Sequence, residues 1–237
     1  MCITLYVVLD AIRSVIRGVT GNSILGSNWN AQIVMPSSNV SQLTLFPSGY
    51  PNWMTPSWEQ RKLGEFSKKV TTKNADSGLS ETFTNSAEQG VISQLDYFDH
   101  DITNDANISG YFVIQPDNFV YNPRISVTAP CGPINRNRLN RAGVMSPLYT
   151  VFSVDESVDK TYLEHYFKTS RWHDFMFLEG NSGARSDRFS ISDATFFDMP
   201  IWCPEIPEQR AIAKQLETTG ALITLHQREP RLLIQVK

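Results

Sequence analysis

The chain has 237 residues, of which 41% are hydrophobic and 19% charged, so it has the size and composition of a soluble globular protein with one sizeable domain and an appendage. A formal net charge of −3 argues against a surface that binds nucleic acid all over, although a local basic face fits such a chain. The three cysteines are far apart and form no Cys-x-x-Cys pair, which favours free thiols in a reducing compartment over disulfides or a zinc site.

The first apolar stretch, Ile3–Ile16, does not fit a signal peptide or a membrane span. It is interrupted by Asp10 and Arg13 and has no basic segment before it. It is also shorter than the roughly 20 apolar residues that a spanning helix needs. We therefore predict an amphipathic helix, or a strand followed by a helix, packed on the body of a cytoplasmic protein.

Changes in composition divide the chain into three parts. Residues 1–56 form a lead-in that is rich in Gly, Asn, Ser and Pro after its first helix or strand. Residues 57–204 are predicted to be the main domain, which opens on a short helix with Leu63 and Phe66 on one face. Residues 205–237 are predicted to be a helical appendage.

A basic polar segment follows the opening helix. Residues 67–80 carry Lys68, Lys69 and Lys73 among Ser, Thr, Asn and Gly. Such a segment is typical of a solvated loop, and it is also suited to contacts with phosphate groups.

Alternating apolar residues then predict a series of short strands. The predicted strands cover residues 90–94, 110–115, 117–122, 125–128 and 144–153. Pro116 and Asp117 mark a turn between two of them.

Two Arg-bearing loops are candidates for reading a nucleic acid. Arginine and asparagine side chains can make paired hydrogen bonds to phosphates and to base edges, although each loop could equally be a surface hairpin. The candidate residues in the two loops are Asn135, Arg136, Asn137, Arg138 and Arg141, and Arg185 and Arg188.

A helix is predicted from Asp159 or Thr161 to about Trp172, with aromatic residues on its apolar face. Two histidines, His165 and His173, lie on it or next to it. Their separation of eight residues is not the four-residue spacing that brings two metal ligands together on a helix. We interpret both as ordinary helix residues.

The last predicted helix follows an apolar run that is punctuated by prolines. Proline suits a first helical turn because its missing N–H would have no partner there. A heptad-like seam that includes Ile212, Leu216 and Ile223 predicts a helix that contacts a partner or a second copy of the chain. Gly220 and Pro230 are expected to weaken this helix or end it early.

The sequence lacks the patterns that enzymes of the common classes carry. It has no glycine spacing for a dinucleotide or a P-loop, no Gly-x-Ser-x-Gly turn, and no carboxylates and lysine arranged like a metal-dependent nuclease. Asn122-Pro123 is too short a match to indicate an adenine methyltransferase. We therefore predict a protein without catalytic residues, cofactor or metal.

Taken together, the motifs resemble a target-recognition domain, with its following helix, from the specificity subunit of type I restriction-modification systems. The segment Pro204–Ile212, which reads Pro-x-x-x-Glu-Gln-x-x-Ile, is the part of the sequence that is most specific for this family. The segments that carry the resemblance, in chain order, are Trp58–Glu65, Gly90–Gln94, Phe119–Pro123, Gly143–Tyr149, Met199–Arg210 and Leu222–Arg228.

The resemblance implies an α+β fold with a twisted, mainly antiparallel or mixed sheet, flanking helices and a C-terminal spacer helix of the coiled-coil type. It also implies a non-enzymatic reader of double-stranded DNA that binds a methyltransferase subunit and, through it, a nuclease subunit. A typical member has two recognition domains, each of which reads half of a split site. This sequence shows one such domain, and residues 43–53 resemble the linker that precedes a second one.

Three interpretations follow from this resemblance. The chain could be a DNA-recognition subunit, and half-subunits of this kind could pair through the helix into a twofold dimer. It could instead be a truncated or recombined fragment that binds the methyltransferase subunit without reading DNA. A stand-alone nuclease or methyltransferase is disfavoured because site residues are missing.

Overall fold

The computed structural model describes residues 58–98, 105–182 and 187–234. The predicted lead-in, residues 1–56, lies outside the described residues, and so does Arg185. The candidate residues of the main domain and of the last helix are otherwise included.

The described residues combine short strands with short helices and end on a long helix. The strands are β1 (Glu59–Lys62), β2 (Ser67–Lys69), β3 (Thr82–Ser86), β4 (Gly90–Ser93), β5 (Phe112–Ile114), β6 (Phe119–Tyr121), β7 (Ile134–Arg136), β8 (Gly143–Met145), β9 (Thr150–Val154), β10 (Asn181–Ser182), β11 (Phe189–Ser190) and β12 (Pro200–Cys203). The helices are α1 (Leu63–Phe66), α2 (Gln94–Phe98), α3 (Lys160–Phe167), α4 (His173–Glu179), α5 (Asp193–Phe197) and α6 (Ile206–Ile234), with a 3₁₀ helix at Asp105–Gly110.

The predicted α+β class with a mixed sheet and a C-terminal helix is confirmed, but the strands form more than one sheet. One four-stranded sheet has the order β2-β9-β6-β7, and all its pairs are antiparallel. A second has the order β4-β3-β8-β5, in which β3 and β8 run parallel. Two further pairs, β1 with β12 and β10 with β11, are antiparallel.

The central strands β6 and β9 lie between two apolar cores. Successive side chains of a strand point to opposite faces. Phe119 and Tyr121 of β6 pack into the larger core with the helices, whereas Val120 packs into a smaller core with Phe83 and Met145 of the second sheet. Both faces of the central strands are therefore apolar and covered.

The larger core is built on aromatic side chains. Phe119 and Phe152 stack with ring centroids 5.5 Å apart, and Phe167 of α3 meets both rings edge to face. Such offset or edge contacts suit the charge distribution of the rings and each add about 0.5–1.5 kcal/mol beyond burial. Helix α3 is thereby fixed against the central sheet.

Buried asparagines connect the two main sheets. The Asn85 side chain on β3 donates to the Val120 carbonyl (2.7 Å) and the Pro133 carbonyl (3.2 Å), and it accepts from Asn135 on β7 (2.6 Å). Asn122 in turn donates to the Asn85 carbonyl (2.9 Å). Because buried polar groups are costly when unpaired, this network holds the sheets in one register.

Two predicted elements have different limits in the structure. Residues 125–128, predicted as a strand, form a turn in which Ser126 and Ala129 exchange two backbone hydrogen bonds. The predicted helix to Trp172 ends at Phe167, and α4 begins separately at His173. Buried Thr169 and Trp172 fill the break, and the Thr169 hydroxyl donates to the Tyr166 carbonyl (2.7 Å).

The last helix continues past the two residues that the sequence predicts to weaken it or end it early. Its backbone is helical from Ile206 to Ile234 and passes through both Gly220 and Pro230. The expectation that these residues end the helix early is therefore wrong. Gly220 and Pro230 are expected to lower the stability of the helix, by about 1 kcal/mol for Gly and about 3 kcal/mol for Pro, but the backbone stays helical on both sides of each residue. Within the described ranges, no helix is both long and apolar enough to cross a membrane.

We predict that Asn85→Ala lowers the free energy of unfolding by about 2–3 kcal/mol. It removes the donor to two buried carbonyls and leaves Asn135 without one of its acceptors. Urea denaturation followed by circular dichroism measures the change. Asn181→Ala, at an exposed position, is the matched control and should change stability by less than about 0.5 kcal/mol. Equal effects of the two substitutions would contradict the structural role of the network.

Candidate functional site

The chain enters and leaves the described domain at the same place. β1, at its start, pairs antiparallel with β12, at its end, in the register Glu59 with Cys203 through Lys62 with Pro200. The Leu63 amide of α1 continues the contact by donating to the Met199 carbonyl (2.8 Å). Two of the segments that carry the family resemblance, Trp58–Glu65 and Met199–Arg210, therefore lie side by side, and α6 begins where they meet.

Side chains of the Glu208-Gln209 pair attach α6 to the domain. Trp58 donates its indole N–H to Glu208 Oε1 (3.1 Å). Gln209 is 1% exposed, its Oε1 accepts from the Asp159 amide (2.8 Å), and its Nε2 donates to the Pro204 carbonyl (2.7 Å). The Gln209 side chain thus joins the N-terminus of α3 to the first turn of α6.

The apolar seam of α6 is divided between the chain's own core and its surface. Ile212 and Leu216 are buried in the larger core, where each contributes about 1.5–3 kcal/mol. The prediction that these two residues face a partner is corrected, because the domain itself covers them. Ile223 is half-buried, while Leu222 and Leu225 are 61% and 58% exposed. The exposed apolar part of the helix therefore starts beyond Gly220.

The predicted basic loop at residues 67–80 is partly a strand. Lys68 and Lys69 lie on β2, and Lys73 forms an isolated bridge with Phe112. Lys69 is ion-paired with Asp193 of α5 at 2.5 Å. Lys68 and Lys73 have no carboxylate within ion-pair distance among the described residues.

Two predicted base readers have structural roles. Asn135 lies on β7 in the asparagine network, where its side chain also accepts a hydrogen bond from Lys168. Asn137 is 1% exposed, donates to the Gln115 carbonyl (3.0 Å) and the Arg141 carbonyl (3.1 Å), and accepts from the Leu139 amide (3.1 Å). Neither side chain is placed to reach a base, which corrects the prediction for these two residues.

Arg136 and Arg138 attach β7 and its following loop to the helices. Arg136 donates to Asp117 (2.8 and 2.5 Å) and to the Thr161 hydroxyl (3.1 Å). Arg138 donates to Glu164 of α3 (2.8 Å) and to Glu217 of α6 (3.0 Å). The hydrogen bond to Glu164 raises the pKa of Arg138, as expected for a cation that gains carboxylate partners. Arg138 is therefore a bridge between the loop, the domain and the long helix.

Arg141 is held on the opposite side of its loop. Its guanidinium makes two hydrogen bonds to the Glu81 carboxylate (2.8 and 2.7 Å) and lies 5.7 Å from the centroid of the Phe83 ring. The hydrogen bonds from Arg141 lower the pKa of Glu81. All three arginines of residues 136–141 are thus ion-paired within the chain, at positions that are partly open to solvent.

Arg188 is placed differently, next to an arginine that sequence reasoning missed. It forms an isolated antiparallel bridge with Arg124. The sequence around Arg124 reads as the start of a strand, and the contact with Arg188 joins segments that are 64 positions apart. No local pattern indicates such a contact. Arg185, the fourth arginine predicted in the two loops, lies outside the described residues and stays a prediction.

Within the described ranges, no group of three or more His, Cys, Asp or Glu side chains is placed to hold a metal ion. Burial lowers the pKa values of His165 and His173, which both lie in the helical region. Burial also raises the pKa of the Cys131 thiol to about 11 and of the Cys203 thiol to about 12. The two thiols are buried and the two histidines are half-buried, and such shifts are ordinary for groups shielded from water.

No protein-family model matches the sequence, and no curated protein matches it. Solved structures do show similarity. One, from work on the structural basis of complex assembly and conformational transition of the type I R-M system, is 18% identical with a TM-score of 0.46, over 80% of this chain and 45% of that chain. Another, the HsdS subunit from Thermoanaerobacter tengcongensis, is 13% identical with a TM-score of 0.45, over 94% of this chain and 46% of that chain. This chain spans less than half the length of either protein.

We predict that Gln209→Ala destabilises the protein by about 1–3 kcal/mol. The substitution leaves the Asp159 amide and the Pro204 carbonyl without their hydrogen-bond partner in a buried position. Chemical denaturation measures the loss. Gln215→Ala on the exposed side of the same helix is the control, and it should be nearly neutral. If the two variants were equally stable, Gln209 would not be the attachment point of α6.

Proposed function

We propose that this chain is a non-catalytic specificity subunit of a type I restriction-modification system. In this role it recognises one DNA sequence and directs methyltransferase and nuclease subunits to a split site. The proposal rests on the sequence motifs and on the way the structure arranges them. The domain boundaries, 57–204 for DNA recognition and 205–237 for the spacer helix, belong to the same proposal.

The observation that carries the proposal is the pairing of β1 with β12 beside the start of α6. Two motifs that are about 140 positions apart in sequence form one antiparallel contact. The Glu208-Gln209 pair then attaches the helix to that contact through Trp58 and Asp159. The two ends of the domain meet where the long helix begins. A domain attached in this way is suited to hold a DNA-contacting surface at a fixed position relative to the helix.

The charge distribution supports DNA reading on part of the surface only. Lys68, Lys73, Arg124 and Arg188 have no ion-paired carboxylate in the part of the chain that the structure describes. Such cations can release counterions from DNA when they meet its phosphates. The net charge of the whole chain stays negative, which suits a subunit whose partners share the phosphate contacts.

A second candidate function is supported by a specific observation. Arg136, Arg138 and Arg141 were expected to contact DNA, and all three are ion-paired inside the chain. In a fragment that binds the methyltransferase subunit through α6 without reading DNA, the arginines would be neutralised by the chain's own carboxylates, as these three are. The two functions differ in whether a DNA target exists.

We expect co-expression with a cognate methyltransferase subunit to produce methylation at one defined split sequence, because the recognition subunit sets where the enzyme acts. Single-molecule sequencing of the host DNA measures the modified positions. The methyltransferase subunit expressed alone is the control and should leave that sequence unmodified. Co-purification of the two proteins without any methylated sequence would contradict DNA reading and would favour the second function.

We further propose that two copies of the chain pair through the exposed part of α6, which would place two domains on one DNA. Light scattering at micromolar concentration should give the mass of a dimer. Leu222→Glu with Leu225→Glu should shift the mass to that of a monomer, because it puts charge on the apolar contact. Ala211→Glu with Gln215→Glu, at exposed positions on the part of the helix next to the domain, should leave the dimer intact. A monomer in the unmodified chain would contradict the pairing.

A further inference from the structure

Arg124 and Arg188 face each other at the edge of a small ribbon. The bridge between them is flanked by a hydrogen bond from the Ile125 amide to the Asp187 carbonyl (3.0 Å) and by one from the Phe189 amide to the Pro123 carbonyl (2.8 Å). Phe189 also belongs to β11, which pairs with β10. Residues directly opposite in an antiparallel pair project their side chains to the same face, with Cβ atoms about 4.5–5.5 Å apart. The side chains of the two arginines therefore project from neighbouring positions on one face of the ribbon.

This pair is electrostatically unbalanced in the free protein. No carboxylate lies within ion-pair distance of either guanidinium in residues 58–98, 105–182 and 187–234, in contrast to the carboxylates that pair with Arg136, Arg138 and Arg141. Like charges directly opposite each other on a sheet are destabilising. The repulsion is removed when an anion lies between or beside the two guanidinium groups.

The backbone below the pair is held firmly. The Arg124 amide donates to the Asn122 side chain (2.9 Å), and Asn122 belongs to the buried asparagine network. The turn that returns the chain needs Gly132, whose φ is +83° and where a Cβ would lie 2.0 Å from the Asn122 carbonyl oxygen. Phe189, adjacent to Arg188, is buried in the larger core. The backbone of both arginines is thus anchored, so little ordering of the backbone is needed when a ligand binds.

We propose that Arg124 and Arg188 together bind the phosphodiester backbone of duplex DNA and set the register of the domain on it. This inference rests on the proposed DNA-reading function and assigns a contact within it. Guanidinium groups match the geometry of phosphate oxygens with paired hydrogen bonds. Contacts to phosphate position a protein on the duplex, while other side chains read the bases. The pair therefore contributes affinity that is the same for every DNA sequence.

The salt dependence of binding tests this assignment. We would measure the affinity of the full chain for a mixed-sequence DNA duplex by fluorescence anisotropy between low and moderate salt. Each phosphate contact that is lost should reduce the slope of log affinity against log salt by about 0.9. Arg124→Gln with Arg188→Gln should therefore lower the slope by about 0.9 if the two share one phosphate, and by about 1.8 if each binds its own.

Two double variants serve as controls. Arg210→Gln with Lys214→Gln removes the same charge from exposed positions on α6 and should keep the slope of the unmodified chain. Arg124→Lys with Arg188→Lys keeps the charge of the pair and should also retain most of the slope. The thermal midpoint of each variant shows that it is folded, and the Gln pair should not lower it because it removes a repulsion.

The outcomes separate this proposal from the function on which it rests. If the Gln pair keeps the full slope while the unmodified chain binds DNA, the pair does not contact phosphate and the proposal is overturned, although DNA reading stands. If the Lys pair loses as much slope as the Gln pair, the arginines act by holding the ribbon and the proposal is again overturned. If the unmodified chain binds no duplex, alone or with the methyltransferase subunit, then both the function and the phosphate contact are rejected.

Discussion

The pairing of β1 with β12 is the constraint on which the rest of the molecule depends. It closes the domain at the point where α6 begins, and it places Trp58 beside Glu208 and Asp159 beside Gln209. Ile212 and Leu216 can then enter the larger core, which fixes the direction of the helix. Without this closure, the same apolar residues on α6 would form a seam open to other chains. The closure therefore decides which part of the helix belongs to the domain and which part can meet a partner.

The arginines divide into two groups with different physical roles. Arg136, Arg138 and Arg141 use carboxylates of α3, α6 and the loops before β3 and β6 to hold the segment after β7 in one shape. Solvent-exposed ion pairs such as those of Arg138 and Arg141 contribute little stability individually, about 0–1 kcal/mol, but together they limit the conformations of a loop. Arg124 and Arg188 are held by backbone pairing, and neither guanidinium forms an ion pair with a carboxylate of the described residues. The segment whose shape is fixed by ion pairs and the two arginines without ion pairs are therefore separate in the structure.

Local patterns in the sequence predicted much of this fold and little of the candidate site. Alternation located β4, β5 and β6 to within a few residues, and the prolines before Glu208 indicated where α6 begins. The existence of two main sheets depends on the parallel contact of β3 with β8, between segments about 60 residues apart, and alternation carries no information about such contacts. The burial of Asn135 and Asn137 was missed for the same reason. Their polar side chains suggest exposure, and the groups that pair with them in the interior are distant in sequence. The same holds for Ile212 and Leu216, whose heptad-like spacing is equally typical of a partner seam and of packing on the chain's own domain.

The attachment of α6 through its first three turns has a mechanical consequence. From Leu216, the last residue of the helix in the core, to Ile234 the helix rises about 27 Å. Over this distance a tilt of about 7° at the attachment moves the far end by about 3.4 Å, which equals the rise of one base pair along a DNA strand. In the proposed function the helix would act as a lever, and the stiffness of the hydrogen bonds around Gln209 would set how accurately the distance between two points on DNA is kept. In that role, a loose attachment would widen the range of distances between half-sites even if every contact with the DNA itself were unchanged.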